Sequence, residues 1–410
     1  MLSVGQILTV SIIDIAFGGD GVARTEEGPV IFVPYTAVGD TIEVEICELK
    51  KSYIRGKIHK ILTASPNRVE PMCRHFGRCG GCVYQHLDYP VELAAKQKQL
   101  EDLLRRIGGF TSLPILECCF ASPKTYGYRN KLRLEPFVVE KGDQGVRLSY
   151  GYCLTDNKTF FTVRECPLAM PIINRHLPKA VHSLWGKQNA KKKPPAPVTL
   201  RASSTGDCQF YFGKAPVNIS WLREELCGQE FSVPLGSFWQ VNPEVASELV
   251  RSVHRWAKNL PVQNFIDAYS GVGTFSMTSK KPYAERVLIE SDRQAGDAAA
   301  HNLGKRALGC QIVKDTTEKA LPKILQQFPT AETLVLLDPP RTGCQSKVTE
   351  ALRKARPAYI FYISCNPSTL ARDLKALCAD GCYQLEKLSL FDMFPRTAHF
   401  ETAVALKAAE

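Results

Sequence analysis

The chain has 410 residues, 44% hydrophobic and 23% charged, the mix of a globular protein, which excludes extended disorder and collagen-like repeats. The formal net charge is +11, which favours a polyanionic partner such as a nucleic acid. At about 150 residues per domain, the length predicts two or three domains.

No apolar run of about 18 residues is present, and the first basic residue is Arg24. Neither a membrane span nor a secretory leader is therefore expected, and a cytoplasmic location is. The 15 cysteines would stay reduced there, leaving each as a core residue, a ligand or a nucleophile. Nothing marks a protein partner.

Residues 6–15, 30–35, 41–48 and 52–61 read as short strands separated by Gly-rich turns, with Ile42, Val44 and Ile46 alternating. Such a pattern predicts a small closed barrel of the oligonucleotide-binding kind, and Lys50, Lys51, Arg55, Lys57 and Lys60 on its last segment are candidates for RNA contact. Residues 91–107 carry Leu93, Leu100, Leu103, Leu104 and Ile107 at helical spacing and predict a surface helix, which could pack on the C-terminal part. Residues 112–235 read as β-rich, with an exposed loop at 186–197.

Asn242-Pro243 predicts a capped helix start running to about 260. Strands at 264–268, 286–290, 311–313, 333–337 and 358–364 then alternate with helices, the pattern of a doubly wound parallel sheet. Two last strands, about 383–391 and 399–406, predict an antiparallel hairpin at its end.

The chemistry sits at strand ends. Asp267-Ala268-Tyr269-Ser270-Gly271-Val272-Gly273-Thr274 follows the first of these strands, and its glycines allow close approach of a ligand to the backbone. A third glycine is missing, so the turn is not the dinucleotide fingerprint. Glu290 ends the next strand, where ribose-binding acids sit. Together these resemble the S-adenosylmethionine site of class I methyltransferases. Asp338-Pro339-Pro340-Arg341 ends a further strand, and Arg341 stands where enzymes that methylate exocyclic amines carry an aromatic residue. In Ser364-Cys365-Asn366-Pro367, Cys365 lies at a strand-to-helix turn, where the positive helix end is expected to lower a thiol pKa. Cysteine beside a methyl donor suggests covalent catalysis of the kind uridine C5 needs, and Glu401, at the head of an apolar strand, is the candidate base.

The motifs Ser237-Phe238-Trp239-Gln240-Val241-Asn242, 267–275, 338–341, 364–367 and Met393-Phe394-Pro395-Arg396-Thr397-Ala398-His399-Phe400-Glu401 resemble the RNA (uracil-5-)-methyltransferase family, most of all its 23S ribosomal RNA members. The resemblance implies a class I, Rossmann-like α/β methyltransferase domain at 236–410, an N-terminal TRAM module of oligonucleotide-binding type at 1–62, and a β-rich central domain at 63–235. It assigns Cys365 as nucleophile and Glu401 as base. Gln240, Tyr269, Thr274, Glu290 and Asp338 would hold S-adenosylmethionine, with Asp315 or Thr316 as a further contact. Thr274 replaces the asparagine frequent in relatives.

Cys73, Cys79, Cys82 and the distant Cys166 are a second constellation, whose spacing suits either zinc or an iron–sulfur cluster. The family resemblance implies a [4Fe-4S] cluster. TRAM module and cluster together imply 23S ribosomal RNA as partner. The alternatives are a transfer RNA substrate and a non-catalytic iron–sulfur RNA-binding protein.

Overall fold

A computed structural model describes residues 2–25, 28–142, 145–182, 196–217, 221–304 and 308–409. The loop expected at 186–197 lies outside the described residues except for its last two positions. Among the described residues no helix is long and apolar enough to cross a membrane. The chain forms two compact units, each assembled from segments distant in sequence.

One unit comprises Met1–Glu101, Gly151–Pro167 and Phe394–His399. Its six-stranded sheet runs in the order Ile7–Ser11, Thr41–Leu49, Tyr53–Thr63, Val30–Val33, Gly21–Arg24, Asp14–Ile15. The first and last strands of that order are separated by only two residues of chain, so the sheet curls until both edges meet in one segment, forming the expected barrel. Val10, Ile12, Ile31, Val33, Ile42, Val44, Ile46 and Ile54 fill it. The strand Gly21–Arg24 is an addition to the sequence reading; its Gly and Arg ends masked a two-residue apolar core.

The row of basic residues on Tyr53–Thr63 is not a free positive stripe. Lys57 lies 3.0 Å from Glu45, Lys50 lies 2.7 Å from Glu48, and Arg55 lies 3.6 Å from Asp20. Antiparallel pairing with Thr41–Leu49 brings Glu45 and Glu48 alongside, so much of the expected charge is matched within the barrel.

The helix Tyr89–Arg106 is more than a surface helix. Glu92 and Lys96 form a 2.7 Å ion pair with both side chains fully buried. Glu92 also accepts hydrogen bonds from the Arg396 backbone N–H (2.7 Å) and guanidinium (3.3 Å), and Lys96 donates to the Phe394 carbonyl (3.3 Å). Helical periodicity placed these charges on a wet face because the covering segment, 394–399, lies some 300 residues further along the chain.

The second unit comprises Asp102–Tyr150, Leu168–Met393 and Phe400–Glu410. Its eight-stranded sheet has the order Gln311–Val313, Glu285–Ile289, Asn264–Ala268, Thr333–Leu337, Tyr359–Ser364, Glu401–Ala408, Tyr383–Phe391, Leu116–Phe120. The first five strands are parallel, and the near-continuous apolar runs of the four after the edge strand Gln311–Val313 are buried, as a sheet covered on both faces requires. Glu401–Ala408 then inserts antiparallel to both neighbours. The hairpin does not end the sheet: Leu116–Phe120 adds a further strand, parallel to Tyr383–Phe391.

The region read as β-rich also holds a helix, Pro171–His182, burying Ile173, Leu177 and Ala180. Pro171 occupies its first turn, where no N–H is needed, and Pro178 lies inside it. The helix Pro243–Ala257 starts at the predicted place, yet Asn242 does not cap it with its side chain, which donates instead to Ser122 Oγ at 2.9 Å.

Candidate active site

All residues discussed for the reaction belong to the second unit. The buried strand Asn264–Ala268 carries Asp267, fully buried, whose Oδ2 accepts hydrogen bonds from the Ser276 N–H (3.2 Å) and hydroxyl (2.6 Å). Burial, then the Glu290 charge among weaker influences, pushes the Asp267 carboxyl up to about 7. The chain next turns through Tyr269 (φ +63°), Gly271 (φ +57°) and Gly273 (φ +85°) before the short helix Thr274–Thr278. A Cβ added at Gly271 would meet nothing within 4 Å. Glycine there serves its left-handed backbone and leaves the peptide open to a ligand.

Glu290 braces this turn: one carboxylate oxygen accepts the Gly271 N–H (2.8 Å), the other the Asp292 N–H (2.6 Å). Phe238, Trp239 and Gln240 form the facing wall of a cleft open to solvent, which Asp338 also lines. Thus Gln240, Tyr269, Thr274 and Asp338 line one cleft, and Glu290 is bonded to its floor. Asp315 does not: it is exposed, its Oδ1 accepts the Thr316 N–H (2.7 Å), and neither residue is part of the lining.

Two residues that the sequence did not single out hold the facing wall. Arg201, with its side chain buried, donates from one nitrogen to the carbonyls of Pro234 (3.1 Å), Leu235 (3.2 Å) and Ser237 (2.7 Å). Asn130 donates to the Gln240 carbonyl at 2.8 Å. A lone arginine or asparagine in a strand gives no sequence signal for such a task.

Cys365 follows Tyr359–Ser364 and precedes the helix Pro367–Leu377. Ser364 pairs with Thr402 in the antiparallel ladder, so Cys365 and Glu401 are the next opposed positions at the carboxyl edge of the sheet. Glu401 is buried, 6% exposed. Burial raises its carboxyl well above the usual range, reinforced by Asp338 and opposed by Arg341. Asp338 is pushed up to about 7 by burial and by Asp267.

The expectation of a thiol acidified by the helix end is overturned. The Cys365 thiol is pushed up to about 12, first by burial, then by Glu401 and Asp338, with only Arg341 and a backbone N–H pulling it down. Asn366 takes the Ser368 N–H (3.1 Å) with its own side chain, so the first turn's donors are partly spent. Burial, with two carboxyl groups beside it, sets the direction against the helix end.

In the first unit, Cys73, Cys79, Cys82 and Cys166 are all half-buried. The Cys82 thiol is pushed up to about 12, chiefly by burial and, against a hydrogen bond from Gln85, by Cys166, Cys79 and Cys73. The four sulfurs therefore lie within electrostatic reach of one another. Among the described residues no group of three or more cysteine, histidine or carboxylate side chains is arranged to hold a metal ion.

The sequence profile of the tRNA (uracil-5-)-methyltransferase family matches residues 228–409, and that of the TRAM domain matches residues 2–59. A protein of Gloeobacter violaceus named as an uncharacterized RNA methyltransferase is 32% identical over 98% of this chain and 97% of its own. A counterpart in Synechocystis is 31% identical over 98% of this chain and 96% of its own. Among solved structures, the Pyrococcus abyssi tRNA (uracil-54, C5)-methyltransferase in complex with S-adenosyl-L-homocysteine aligns with a TM-score of 0.69 and 25% identity, covering 97% of this chain and 99% of that one. With the glycine turn, the acid after the second strand and the cysteine turn gathered at one sheet edge, the chain belongs to the RNA (uracil-5-)-methyltransferase family and is an S-adenosylmethionine-dependent enzyme with a TRAM domain.

Proposed function

We propose that this protein methylates C5 of a uridine in 23S ribosomal RNA, in the cytoplasm, through a covalent bond between Cys365 and uracil C6. The observation that carries the reading is the opposition of Cys365 and Glu401 across two paired strands, beside Asp338 and the glycine-floored cleft. The cleft suits the methyl donor in kind. Gly271 leaves the peptide open, and the Trp239 Nε1 and Ser270 Oγ atoms on its walls are buried without hydrogen-bond partners among the described residues. In this reading Gln240, Tyr269, Thr274, Glu290 and Asp338 hold the donor. Bound S-adenosylmethionine supplies an electrophilic methyl group on a sulfonium.

The chain's own residues do the rest. Cys365 Sγ, once deprotonated, bonds to C6, and the C5–C6 π electrons move onto the C4 carbonyl, giving C5 carbanion character. After C5 has gained its methyl group, Glu401 takes the C5 proton, the double bond re-forms and the sulfur leaves. Burial raises the proton affinity of the Glu401 carboxylate, which suits it to take the proton from C5. The uridine must leave its stack to reach this edge.

Region 1–62 is proposed to grip RNA as a TRAM barrel, 63–235 to carry the thiol site, and 236–410 to carry the reaction. Cys73, Cys79, Cys82 and Cys166 supply four thiols, the donor set of a [4Fe-4S] cluster, and influence one another electrostatically; the described residues hold no arranged metal-binding group, so the assignment rests on the donor set. A cluster there would tie together segments far apart in sequence; no methylation step needs its electrons. Brown protein with equimolar iron and sulfide supports it; colourless, zinc-containing protein purified without oxygen overturns it.

A transfer RNA substrate is the second reading, favoured by the full-length likeness to the Pyrococcus abyssi enzyme. Mapping 5-methyluridine in ribosomal and transfer RNA from cells with and without the gene decides between them. The chemistry is tested with RNA carrying 5-fluorouridine. The parent protein should become joined to it through Cys365 and Cys365→Ala should not; an adduct elsewhere, or near-normal turnover of Cys365→Ala, rejects the mechanism.

A further inference from the structure

Asp373 lies in the helix that follows Cys365, only 3% exposed, and receives hydrogen-bond donors on both carboxylate oxygens. Oδ2 accepts the Tyr362 hydroxyl at 2.6 Å and the Cys344 N–H at 2.8 Å. Oδ1 accepts Arg372 Nε at 2.8 Å. Arg372 in turn donates to the carbonyls of Thr342 (3.0 Å) and Cys344 (3.2 Å). These partners come from the two places the reaction needs in register. Tyr362 stands three residues before Cys365, on the strand that leads into it. Thr342 and Cys344 belong to the loop that leaves Asp338 and Arg341.

The same loop is pinned from the helix start, where Asn366 Nδ2 and Thr369 Oγ1 donate to the Arg341 carbonyl at 3.0 and 3.3 Å. Packing is close enough to exclude a methyl group. Gly343 has φ +76°, and a Cβ there would sit 2.5 Å from Arg372 Nη2 and 2.6 Å from Asp373 Oδ2. The Cys344 thiol lies within hydrogen-bonding reach of both Tyr362 and the cleft residue Tyr269, so the network extends to the floor of the donor site.

We propose that Asp373 is a positioning residue for methyl transfer: its buried carboxylate clamps the 338–344 loop to the strand and helix that present Cys365. This rests on the reading that Cys365 attacks the uracil beside Asp338. Every group facing Asp373 is a donor, so an amide at this position must aim N–H at N–H or O–H and push one partner away.

The experiment compares the full-length parent with Asp373→Asn and Tyr362→Phe, measuring kcat for methyl transfer to RNA, the Kd of S-adenosylmethionine, and thermal unfolding. Misplacement approaching an ångström predicts a fall in kcat on the order of 10²-fold for Asp373→Asn. Tyr362→Phe, which removes one of the clamp's bonds and keeps the ring, should lower kcat by about tenfold. Donor Kd should change by much less than kcat in both, because Gln240 and Glu290 lie outside the clamp and only Asp338 and Tyr269 touch it. Folded variants with near-parent kcat, or a loss that appears as weakened donor binding, overturn the proposal. Should Asp373→Asn fail to fold, Tyr362→Phe decides alone by the same criteria. If the parent forms no Cys365 adduct with 5-fluorouridine RNA, the nucleophile assignment fails, while the kcat ratios still judge the clamp.

Discussion

The raised pKa of Cys365 makes a prediction about the enzyme at rest. With the thiol moved from its ordinary 9.0 to about 12, the thiolate fraction at pH 8 falls from about one in ten to on the order of 10⁻⁴, a factor of roughly 10³. A more basic thiolate is more nucleophilic, and a Brønsted slope near 0.45 over three units returns about 20-fold. The net expectation is that Cys365 in the protein alone reacts with iodoacetamide about 50-fold more slowly than an ordinary accessible cysteine. Quantifying the carbamidomethylated peptide by mass spectrometry between pH 7 and 10.5 should show a rate that climbs about tenfold per unit without levelling. A plateau at or below about pH 9 would refute the electrostatic account.

The same experiment separates the causes. Glu401 is the strongest charge raising this thiol, after burial itself. Glu401→Gln should therefore speed alkylation of Cys365 while it slows methyl transfer, opposite signs from one substitution. An unchanged alkylation rate would mean that carboxyl and sulfur do not share a site and cannot act on one ring. A protonated resting thiol also resists oxidation, and it confines ionisation to the complex in which the sulfur has work to do.

Glu290→Gln removes the carboxylate that braces Gly271 and should weaken S-adenosylmethionine binding by about 10- to 100-fold in titration calorimetry; an unchanged Kd would remove Glu290 from the donor site. Glu92→Gln leaves Lys96 buried without its counter-charge, which should destabilise the protein by about 3–5 kcal/mol in urea unfolding, and a loss below about 1 kcal/mol would contradict the buried pair. His86, 3% exposed, is pushed down to about 4 from 6.5, chiefly by burial. The folded state keeps it neutral while the unfolded chain protonates, so its stability contribution is intact above pH 6.5 and is lost as pH falls towards 4. The loss is about 3 kcal/mol. His86→Gln should flatten that part of the stability curve, and an identical slope in both proteins would reject the assignment.

What sequence could and could not show follows from the range of each interaction. The strand Asn264–Ala268 and its turn were legible because everything that defines them is local: a short apolar run, an acid, and two glycines that the structure holds at φ +57° and +85°. Cys365 and Glu401 were legible as residue types at strand ends. The thiol's pKa was not, since the helix end adjoining Cys365 is visible in the sequence, while the burial that raises it is tertiary and the carboxyls that add to it arrive from 27 residues before and 36 after. Leu116–Phe120 shows no alternation, and its partner Tyr383–Phe391 lies far along the chain, so nothing local marks it as the sheet's last strand. Glu92 and Lys96 obeyed helical spacing, and spacing cannot report what covers a helix face.

The order of the last strands decides whether the chemistry is possible at all. Taken in chain order, Tyr383–Phe391 would pair with Tyr359–Ser364, and Glu401–Ala408 would lie one strand further out. Neighbouring strands are about 4.8 Å apart, so Glu401 would stand roughly 10 Å from the Cys365 strand, too far for two groups that must reach adjacent carbons of one pyrimidine. Insertion of Glu401–Ala408 between them removes that extra strand width. Direction matters equally. Parallel strands present their ends at the carboxyl edge, whereas an antiparallel strand presents its start. This is why the base can be the first residue of its strand while the nucleophile follows the last residue of its own. Had Glu401–Ala408 run parallel to its neighbour, its first residue would face the opposite edge, some five residues of strand away from the sulfur.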